Sequence, residues 1–387
     1  MNERVGVVMA GAGARGAFEA GAVAGLLPAL AEQGRTPTVF AGSSAGSINA
    51  VLLAATAHLA PDAAAKELTE QWRRAVAGSM IRSVGLAVPA SAARYVAGRL
   101  HLPETPVSWL DPTGLRALLG RWDGWEALHR NVEQGVVDAV ALTATDLTHD
   151  RTVVHVECRD DVELPPDDVE RAVYYRRTRL GLEHVYASCC IPFLFAPVEL
   201  PGEDGEPTWN VDGGVRLNVP LKPALDLGAE RLVVVATDTI SRPQATTDGG
   251  VPTAVDLAGS LLHHLTGDRL LEDLQTLTQV NQLLAADGGA TTRTRSGRPY
   301  RRVPVLVAAP KGADDLGRLV DRAVGLGPGS PFAPVVDLLS RVTGLPGRST
   351  PDLASFLFFL SGFTRRAVEL GELRAAEALA DGWQEEV

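Results

Sequence analysis

Short apolar runs alternate with longer helix-like segments at the start of the chain. Residues 5–10 and 38–41 are apolar runs bounded by glycine or polar residues, and each predicts a buried strand. Residues 17–30 are apolar nearly all round, which predicts a helix covered by other elements. A second helix is predicted over 48–58. The order strand, helix, strand, helix predicts a parallel sheet with helices on its faces.

The rest of the chain continues the same mixed pattern. Further buried strands are predicted at 136–147, 151–157, 231–239 and 303–310. A polar helical region is predicted over 254–285, and the chain from 311 onward is predicted to be mostly helical. Residues 78–130 are less regular and contain arginines, tryptophans and several prolines. We interpret this stretch as an insertion or cap, and a single domain is favoured.

The net charge, the cysteines and the lengths of the apolar runs limit which binding partners and which cellular location we expect. The net charge is −11, which argues against a nucleic-acid partner and offers no polybasic attraction to anionic lipid. The three cysteines, of which Cys189 and Cys190 are adjacent, form neither a disulfide framework nor a metal-ligand spacing. No window reaches the ~18 consecutive apolar residues of a spanning helix. We therefore expect a soluble cytoplasmic protein without a metal, and leave peripheral membrane contact open.

A glycine loop follows the first predicted strand. Gly11, Gly13 and Gly16 fit G-x-G-x-x-G, and the next helix begins there, so backbone N–H groups and a positive helix end converge on one spot. That spot suits any anion. A dinucleotide site also needs an acidic residue at the end of the second strand, but Ala41 is followed by Gly42. A packing turn without a ligand is the remaining alternative.

The sequence GSSAG, residues 42–46, places a serine at a junction between a strand and a helix. It fits G-x-S-x-G, in which a sharp turn pushes Ser44 forward and leaves room only for glycine at Gly42 and Gly46. The alternative is a turn of small residues that caps a helix, a position where serine is favoured. The placement between a strand and a helix favours the nucleophile.

A nucleophilic serine needs a base. Only one strand and one helix precede the serine strand, which does not fit the α/β-hydrolase order, and the paired His263 and His264 are typical of a solvated helix face. A carboxylate is the other choice. The sequence D-G-G occurs at Asp212, Asp248 and Asp287, and Asp-Gly usually marks a turn. We prefer Asp212 because it follows a predicted strand end, where ligands collect in α/β sheets.

Together, the glycine loop with its basic residue, the early G-x-S-x-G and the late D-G-G resemble the patatin-like phospholipases. The loop reads G-A-G-A-R-G, with Ala12 where the family usually has a glycine, and this keeps the backbone N–H. The segments ASCCIPFLFAPV, DGGVRLNVPL and FTRRAVELGELRAAEAL are also similar to the family's sequences. The resemblance extends over most of the chain and is weakest across residues 78–130.

The resemblance implies a three-layer αβα fold with a mostly parallel sheet, and a Ser–Asp dyad without a histidine, metal or cofactor. By position, Ser44 is the nucleophile and Asp212 the general base. The oxyanion hole would be formed by the N–H groups of the loop residues Gly11, Ala12, Gly13 and Ala14. The residues that support these motifs are Arg15, Gly16, Gly42, Gly46, Gly213 and Gly214. Arg15 could brace the loop or recognise an anion.

The function implied is that of a serine esterase that cleaves acyl ester bonds of lipids, of the phospholipase A or lysophospholipase type. Residues 1–310 would form the catalytic domain, and 311–387 a helical extension packed on the same domain. Two alternatives remain at this point. One is a dinucleotide-binding oxidoreductase that uses the glycine loop, and the other is a non-catalytic binding protein on the same fold.

Overall fold

The structure is a computed structural model. The part of the chain that it describes comprises residues 3–77, 113–192, 195–203, 205–240, 269–286, 299–312, 315–324 and 361–385, with the single residues Arg293 and Ser355. Its strands are β1 (Val5–Met9), β2 (Pro37–Ser43), β3 (Ala139–Asp146), β4 (Arg151–Cys158), β5 (Val173–Arg177), β6 (Val198–Pro201), β7 (Pro207–Asp212), β8 (Arg231–Val235) and β9 (Val305–Ala308).

The helices alternate with these strands through the first part of the chain. They are α1 (Gly16–Glu32), α2 (Ala45–Thr56), α3 (Pro61–Ala77), α4 (Thr113–Arg121), α5 (Trp125–Glu133), α6 (Leu182–Ser188), α7 (Leu221–Asp226), α8 (Arg269–Ala286), α9 (Asp315–Val324) and α10 (Ser361–Asp381). Short 3-10 turns at Gly13–Arg15 and Gly213–Val215 follow β1 and β7. Both turns lie in sequences that we singled out for their chemistry.

The central sheet is mostly parallel, as predicted. Its strand order is β5-β4-β3-β2-β1-β8-β9, and β1 lies between β2 and β8 with parallel pairing on both sides. β2 pairs with β3 and β8 with β9, again parallel. β4 pairs antiparallel with β3, and the β6–β7 hairpin joins the sheet through an antiparallel pairing of β7 with β3. The antiparallel elements are therefore on the β3 side of the sheet.

Helices cover both faces of the sheet, which gives the expected three layers. On β1, Val7 and Met9 pack with α1 and α2 in one core, while Val8 points to the other face. There it packs in a second core with residues of α7 and α8, among them Leu221 and Leu274. This alternation is the two-residue period of a strand buried on both sides. The glycine loop and α2 thus begin at the same edge of the sheet.

The C-terminal helix α10 packs closely against α1. A Cβ on Gly21 would lie 2.1 Å from the carbonyl oxygen of Val368, so the two backbones are in direct contact there. After α10, Gln384 and Val305 exchange backbone hydrogen bonds of 2.7 and 2.8 Å at the start of β9. These contacts tie the last described residues to the same sheet that carries the glycine loop.

The stretch predicted to be irregular differs from that expectation. Its described part, from residue 113, forms α4 and most of α5. The spacing of Leu115 and Leu119 and of Leu128 and Val132 is four residues, and all four side chains are buried. Residues 78–112 lie outside the described part, as does the first half of the polar helical region predicted over 254–285.

Candidate active site

Two strands bring the predicted serine and aspartate to one point on β3. β2 runs parallel to β3 and ends with Ser43 opposite Thr143. β7 runs antiparallel to β3 and ends with Asp212 opposite Ala144, the next residue along β3. The two strands therefore meet with their carboxyl ends facing each other, about one residue spacing of ~3.3 Å apart along β3. Ser44 follows immediately, so it lies beside Asp212.

Ser44 occupies a sharp turn between β2 and α2. Its backbone angles are φ 50° and ψ −123°, and it is the N-cap of α2. A non-glycine residue at positive φ costs about 1–3 kcal/mol and persists only where the surrounding structure holds it, and such residues cluster at functional sites. The side chain is 4% exposed. This is the geometry expected of a nucleophile at a strand-to-helix elbow.

The two glycines of this motif lie where backbones touch. A Cβ on Gly42 would come within 2.2 Å of the carbonyl oxygen of Gly46, and a Cβ on Gly46 within 2.4 Å of that of Met9. No side chain fits at either distance. Glycine at these positions therefore allows the elbow to fold back on itself and α2 to start against the end of β1.

The backbone of Ser44 is held by neighbours from α2 and from the end of α6. Its N–H donates to Ser188 Oγ at 2.9 Å. Its carbonyl oxygen accepts from the Ser47 hydroxyl at 2.5 Å and from the Cys189 thiol at 3.2 Å. Burial raises the pKa of Cys189 well above its usual range, so the thiol keeps the proton that it donates. The Ser44 hydroxyl is the polar group of this residue left for chemistry.

Asp212 is a buried carboxylate with one firm partner. Its Oδ1 accepts the N–H of Gly214 at 2.7 Å, whereas Oδ2 is buried and completes no hydrogen bond with a described residue. Burial raises the pKa of Asp212 from 3.8 to about 6, and the Ser44 hydroxyl and the Gly214 N–H limit that rise by favouring the ionised form. A carboxylate with this pKa is largely ionised at neutral pH and is well suited to accept a proton.

The residues around Asp212 fix its position. Its N–H donates to the carbonyl of Cys190 at 2.9 Å, and its own carbonyl accepts from Thr145 Oγ1 at 3.0 Å. A Cβ on Gly213 would lie 2.3 Å from the Thr143 carbonyl, so the chain turns tightly over β3 directly after the carboxylate. The short segment at the end of α6 thus supports both Ser44, through Ser188, and Asp212.

The glycine loop lies against the serine. A Cβ on Gly11 would be 3.0 Å from the Cβ of Ser44, and the Gly11 N–H donates to the Asn218 carbonyl at 3.1 Å. The N–H of Gly11 is therefore already used. Within the part of the chain that the structure describes, the three following loop residues donate no backbone hydrogen bond: Ala12, Gly13 and Ala14. These three N–H groups lie just ahead of the N-terminus of α1, where the helix dipole favours negative charge.

Arg15 braces this loop. Its side chain is 1% exposed, and its Nη1 forms an ion pair with Asp238 Oδ1 at 3.0 Å. The same nitrogen donates to the Thr237 carbonyl at 3.3 Å, and Nε donates to Ser355 Oγ at 2.7 Å. These partners lie just beyond β8 and near the C-terminal helices. Of the two roles left open by the sequence, the contacts are those of loop bracing.

A buried polar network that sequence reasoning missed lies beneath the loop. Asn49 of α2 donates from Nδ2 to the Gly16 carbonyl and to Glu19 Oε2, both at 3.0 Å, and its Oδ1 accepts from Trp72 Nε1 at 2.6 Å. Burial raises the pKa of Glu19 well above its usual range and so favours the neutral carboxyl. The signal available in the sequence was a glutamate, Glu19, within the apolar segment 17–30.

The remaining predictions from the sequence concern other aspartates, two histidines, metal binding and dinucleotide binding. Asp248, Asp287, His263 and His264 lie outside the described residues. Among the residues that are described, no group of three or more His, Cys, Asp or Glu side chains is arranged to hold a metal ion. Ser43 and Ser44 stand at the end of β2, where a dinucleotide-binding strand would carry an acidic side chain.

Comparison with known proteins identifies a family. A family model described as patatin-like phospholipase matches residues 7–225, more than half of the chain. Among solved structures, the chain is similar to VipD from Legionella pneumophila, with 13% identity, a TM-score of 0.37, and coverage of 99% of this chain and 68% of that chain. No curated protein matches the chain.

Within the described residues, every helix is too short or too polar to cross a bilayer.

Proposed function

The chain belongs to the patatin-like phospholipase family, a family of lipid acyl hydrolases, and we propose that it cleaves acyl esters of lipids through a Ser44–Asp212 dyad. The observation that carries this proposal is the meeting of three features at one edge of the sheet. They are a serine at a strained elbow, a buried carboxylate beside it, and a loop with three N–H groups that donate no backbone hydrogen bond to a described residue.

In the first half of the reaction, Ser44 Oγ attacks the ester carbonyl carbon while Asp212 accepts the hydroxyl proton. The carbonyl oxygen becomes an oxyanion, which accepts hydrogen bonds from the loop N–H groups of Ala12, Gly13 and Ala14. When the tetrahedral intermediate collapses, the alcohol leaves with the proton from Asp212. The acyl group is then bound to Ser44 as an ester.

In the second half, water attacks the acyl-serine carbonyl and gives its proton to Asp212. The same loop N–H groups stabilise the second oxyanion. Collapse releases the fatty acid, and the proton returns from Asp212 to Ser44 Oγ. This scheme uses one carboxylate as base and then as acid in both halves, and a pKa of about 6, close to neutral pH, suits both roles.

The test is covalent labelling of the serine by a fluorophosphonate probe, together with hydrolysis of a p-nitrophenyl ester. Wild type should be labelled and active. Folded Ser44→Ala should be neither, with a loss in rate on the order of 10⁶. Fatty acid released from phosphatidylcholine vesicles and from lysophosphatidylcholine micelles then separates the phospholipase A type from the lysophospholipase type.

The chain supplies its own matched controls in its three D-G-G sequences. Asp212→Asn should lose turnover, whereas Asp248→Asn and Asp287→Asn should keep it, because Asp212 ends a strand beside Ser44 and the other two aspartates are expected to form turns. A wild-type protein that hydrolyses no ester and takes up no probe would instead favour the non-catalytic binding protein. Ester hydrolysis equal in wild type and Ser44→Ala would exclude Ser44 as the nucleophile.

A further inference from the structure

A cavity of about 260 Å³ lies between α2, α3 and the end of α4. Its walls are apolar side chains that come from all three helices and from the turn after α4: Ile48, Val51, Leu52, Trp72, Leu119 and Trp122. Charged side chains complete the lining, among them Arg74, which is 59% exposed. An apolar interior with a polar, solvated edge fits a ligand that has a hydrocarbon part.

The cavity begins close to the nucleophile. Ile48 lies in the first turn of α2, four residues after Ser44, which is about one turn or ~6 Å along the helix axis. Ile48 is the partly exposed residue of a helix whose other residues are buried. The tip of the Trp72 ring reaches the start of the same helix, because a Cβ on Gly16 would lie 2.6 Å from that ring and 2.8 Å from the Cβ of Ala45.

The aromatic walls are fixed in place. Trp72 donates from Nε1 to Asn49 Oδ1 at 2.6 Å, and Asn49 is bound in turn to the Gly16 carbonyl and to Glu19. On the other side, the Trp122 ring packs edge-on against Trp125 at 4.8 Å between centroids. A cavity with rigid walls loses little entropy when it takes up a ligand, so it is preorganised for binding.

We propose that this cavity binds the acyl chain of the substrate, with the ester carbonyl at Ser44 and the chain along α2. This assignment rests on the proposed function, because it names the part of the lipid substrate that the protein would recognise. Because a cavity of about 150 Å³ holds benzene, about 260 Å³ suits on the order of ten carbon atoms. The enzyme should therefore prefer medium-length acyl chains.

The first measurement is kcat/KM for p-nitrophenyl esters from acetyl to palmitoyl. Each buried methylene should raise it about fourfold until the cavity is full, with no further rise beyond on the order of ten carbons. Ile48→Trp, which places a large ring at the entrance, should lower the ratio of decanoyl to acetyl hydrolysis at least tenfold. Leu283→Trp is the matched control, because Leu283 is 68% exposed on α8 at the other face of the sheet, and it should leave that ratio unchanged.

The second measurement does not depend on turnover. Ser44→Ala should bind decanoate in a calorimetric titration, and adding Ile48→Trp should weaken that binding at least tenfold, whereas adding Leu283→Trp should not. If Ile48→Trp fails to fold, Val51→Phe fills the same cavity from the next turn of α2. Unchanged decanoate binding in a folded cavity-filling variant, or a chain-length profile that it does not alter, would overturn the assignment. Decanoate binding without any ester hydrolysis would leave the cavity assigned and refute only the proposed function.

Discussion

Replacing Asp212 with asparagine should stabilise the protein at neutral pH while it abolishes turnover. Asp212 is 5% exposed, and burial raises its pKa from 3.8 to about 6. At a pH between these two pKa values, Asp212 keeps its proton in the folded protein but has lost it in the unfolded chain. Asp212 therefore lowers the free energy of unfolding as the pH rises from about 4 to about 6. A shift of about 2 pKa units corresponds to about 3 kcal/mol at pH 8. A neutral amide does not carry that cost.

The asparagine amide should fit the site that the carboxylate leaves. Its oxygen can accept the Gly214 N–H, which donates to Asp212 Oδ1 at 2.7 Å. The thiols of Cys189 and Cys190 face the same group, and the pKa of each is raised, by burial first and by Asp212 second, so both stay neutral over the pH range concerned. The effect of the substitution on pH dependence therefore belongs to Asp212 itself.

The assay is urea unfolding of wild type and Asp212→Asn at about pH 4.5 and about pH 8. The variant should be more stable by about 1 kcal/mol at the lower pH and about 3 kcal/mol at the higher one. Asp146→Asn is a control of opposite sign, because burial of Asp146 is outweighed by hydrogen bonds from His149 and Arg151, which lower its pKa, so its carboxylate stabilises the fold fully above the unfolded pKa of about 4. A stability difference for Asp212→Asn that stays constant with pH would refute the raised pKa, as would an acid limb of wild-type kcat/KM far from pH 6.

Two further predictions concern the packing beneath the site. Glu19→Gln should leave the melting temperature within a few degrees of wild type, because the neutral carboxyl and the amide present the same acceptor to Asn49. Glu19→Leu should cost about 1–3 kcal/mol, because one buried N–H of the Asn49 amide loses its acceptor. Gly46→Ala should cost about 1–3 kcal/mol and reduce probe labelling, since its Cβ would lie 2.4 Å from the Met9 carbonyl. Gly181→Ala, where a Cβ meets nothing within 4 Å, is the control for both thermal melts and labelling. Equal stability of Gly46→Ala and Gly181→Ala would contradict the close approach at the elbow.

Local patterns in the sequence were enough to predict the first half of the sheet. The apolar runs and the helices between them correspond to β1, α1, β2 and α2, and their order predicted the parallel pairing. Strand direction elsewhere was not predictable in this way. β7 runs antiparallel to β3 because of a pairing between Asp212 and Ala144, 68 positions apart, and nothing in either segment alone encodes that partner. The same long-range pairing is what places the candidate base.

Details of the candidate site depended on contacts that are equally remote in sequence. The family resemblance implied four loop N–H groups for the oxyanion hole, but the N–H of Gly11 donates to the carbonyl of Asn218. The role of Arg15 was open because its partners, Asp238 and Ser355, follow it by more than 220 residues. Motifs identify the residue types at a site. The role of each residue depends on its hydrogen-bond partners, which are known only from the folded structure.

The glycine loop resembles that of a dinucleotide-binding fold because both use backbone N–H groups at the start of a helix. Two features of the residues around this loop bear on the kind of anion that it would bind. The guanidinium of Arg15 is buried and pairs with Asp238 Oδ1 at 3.0 Å, so a carboxylate compensates its positive charge. The space before the loop is shared with Ser44, whose Cβ would be 3.0 Å from a Cβ on Gly11. An oxyanion formed on a carbon bonded to Ser44 Oγ would need only the N–H groups of Ala12, Gly13 and Ala14, which donate no backbone hydrogen bond within the described part of the chain.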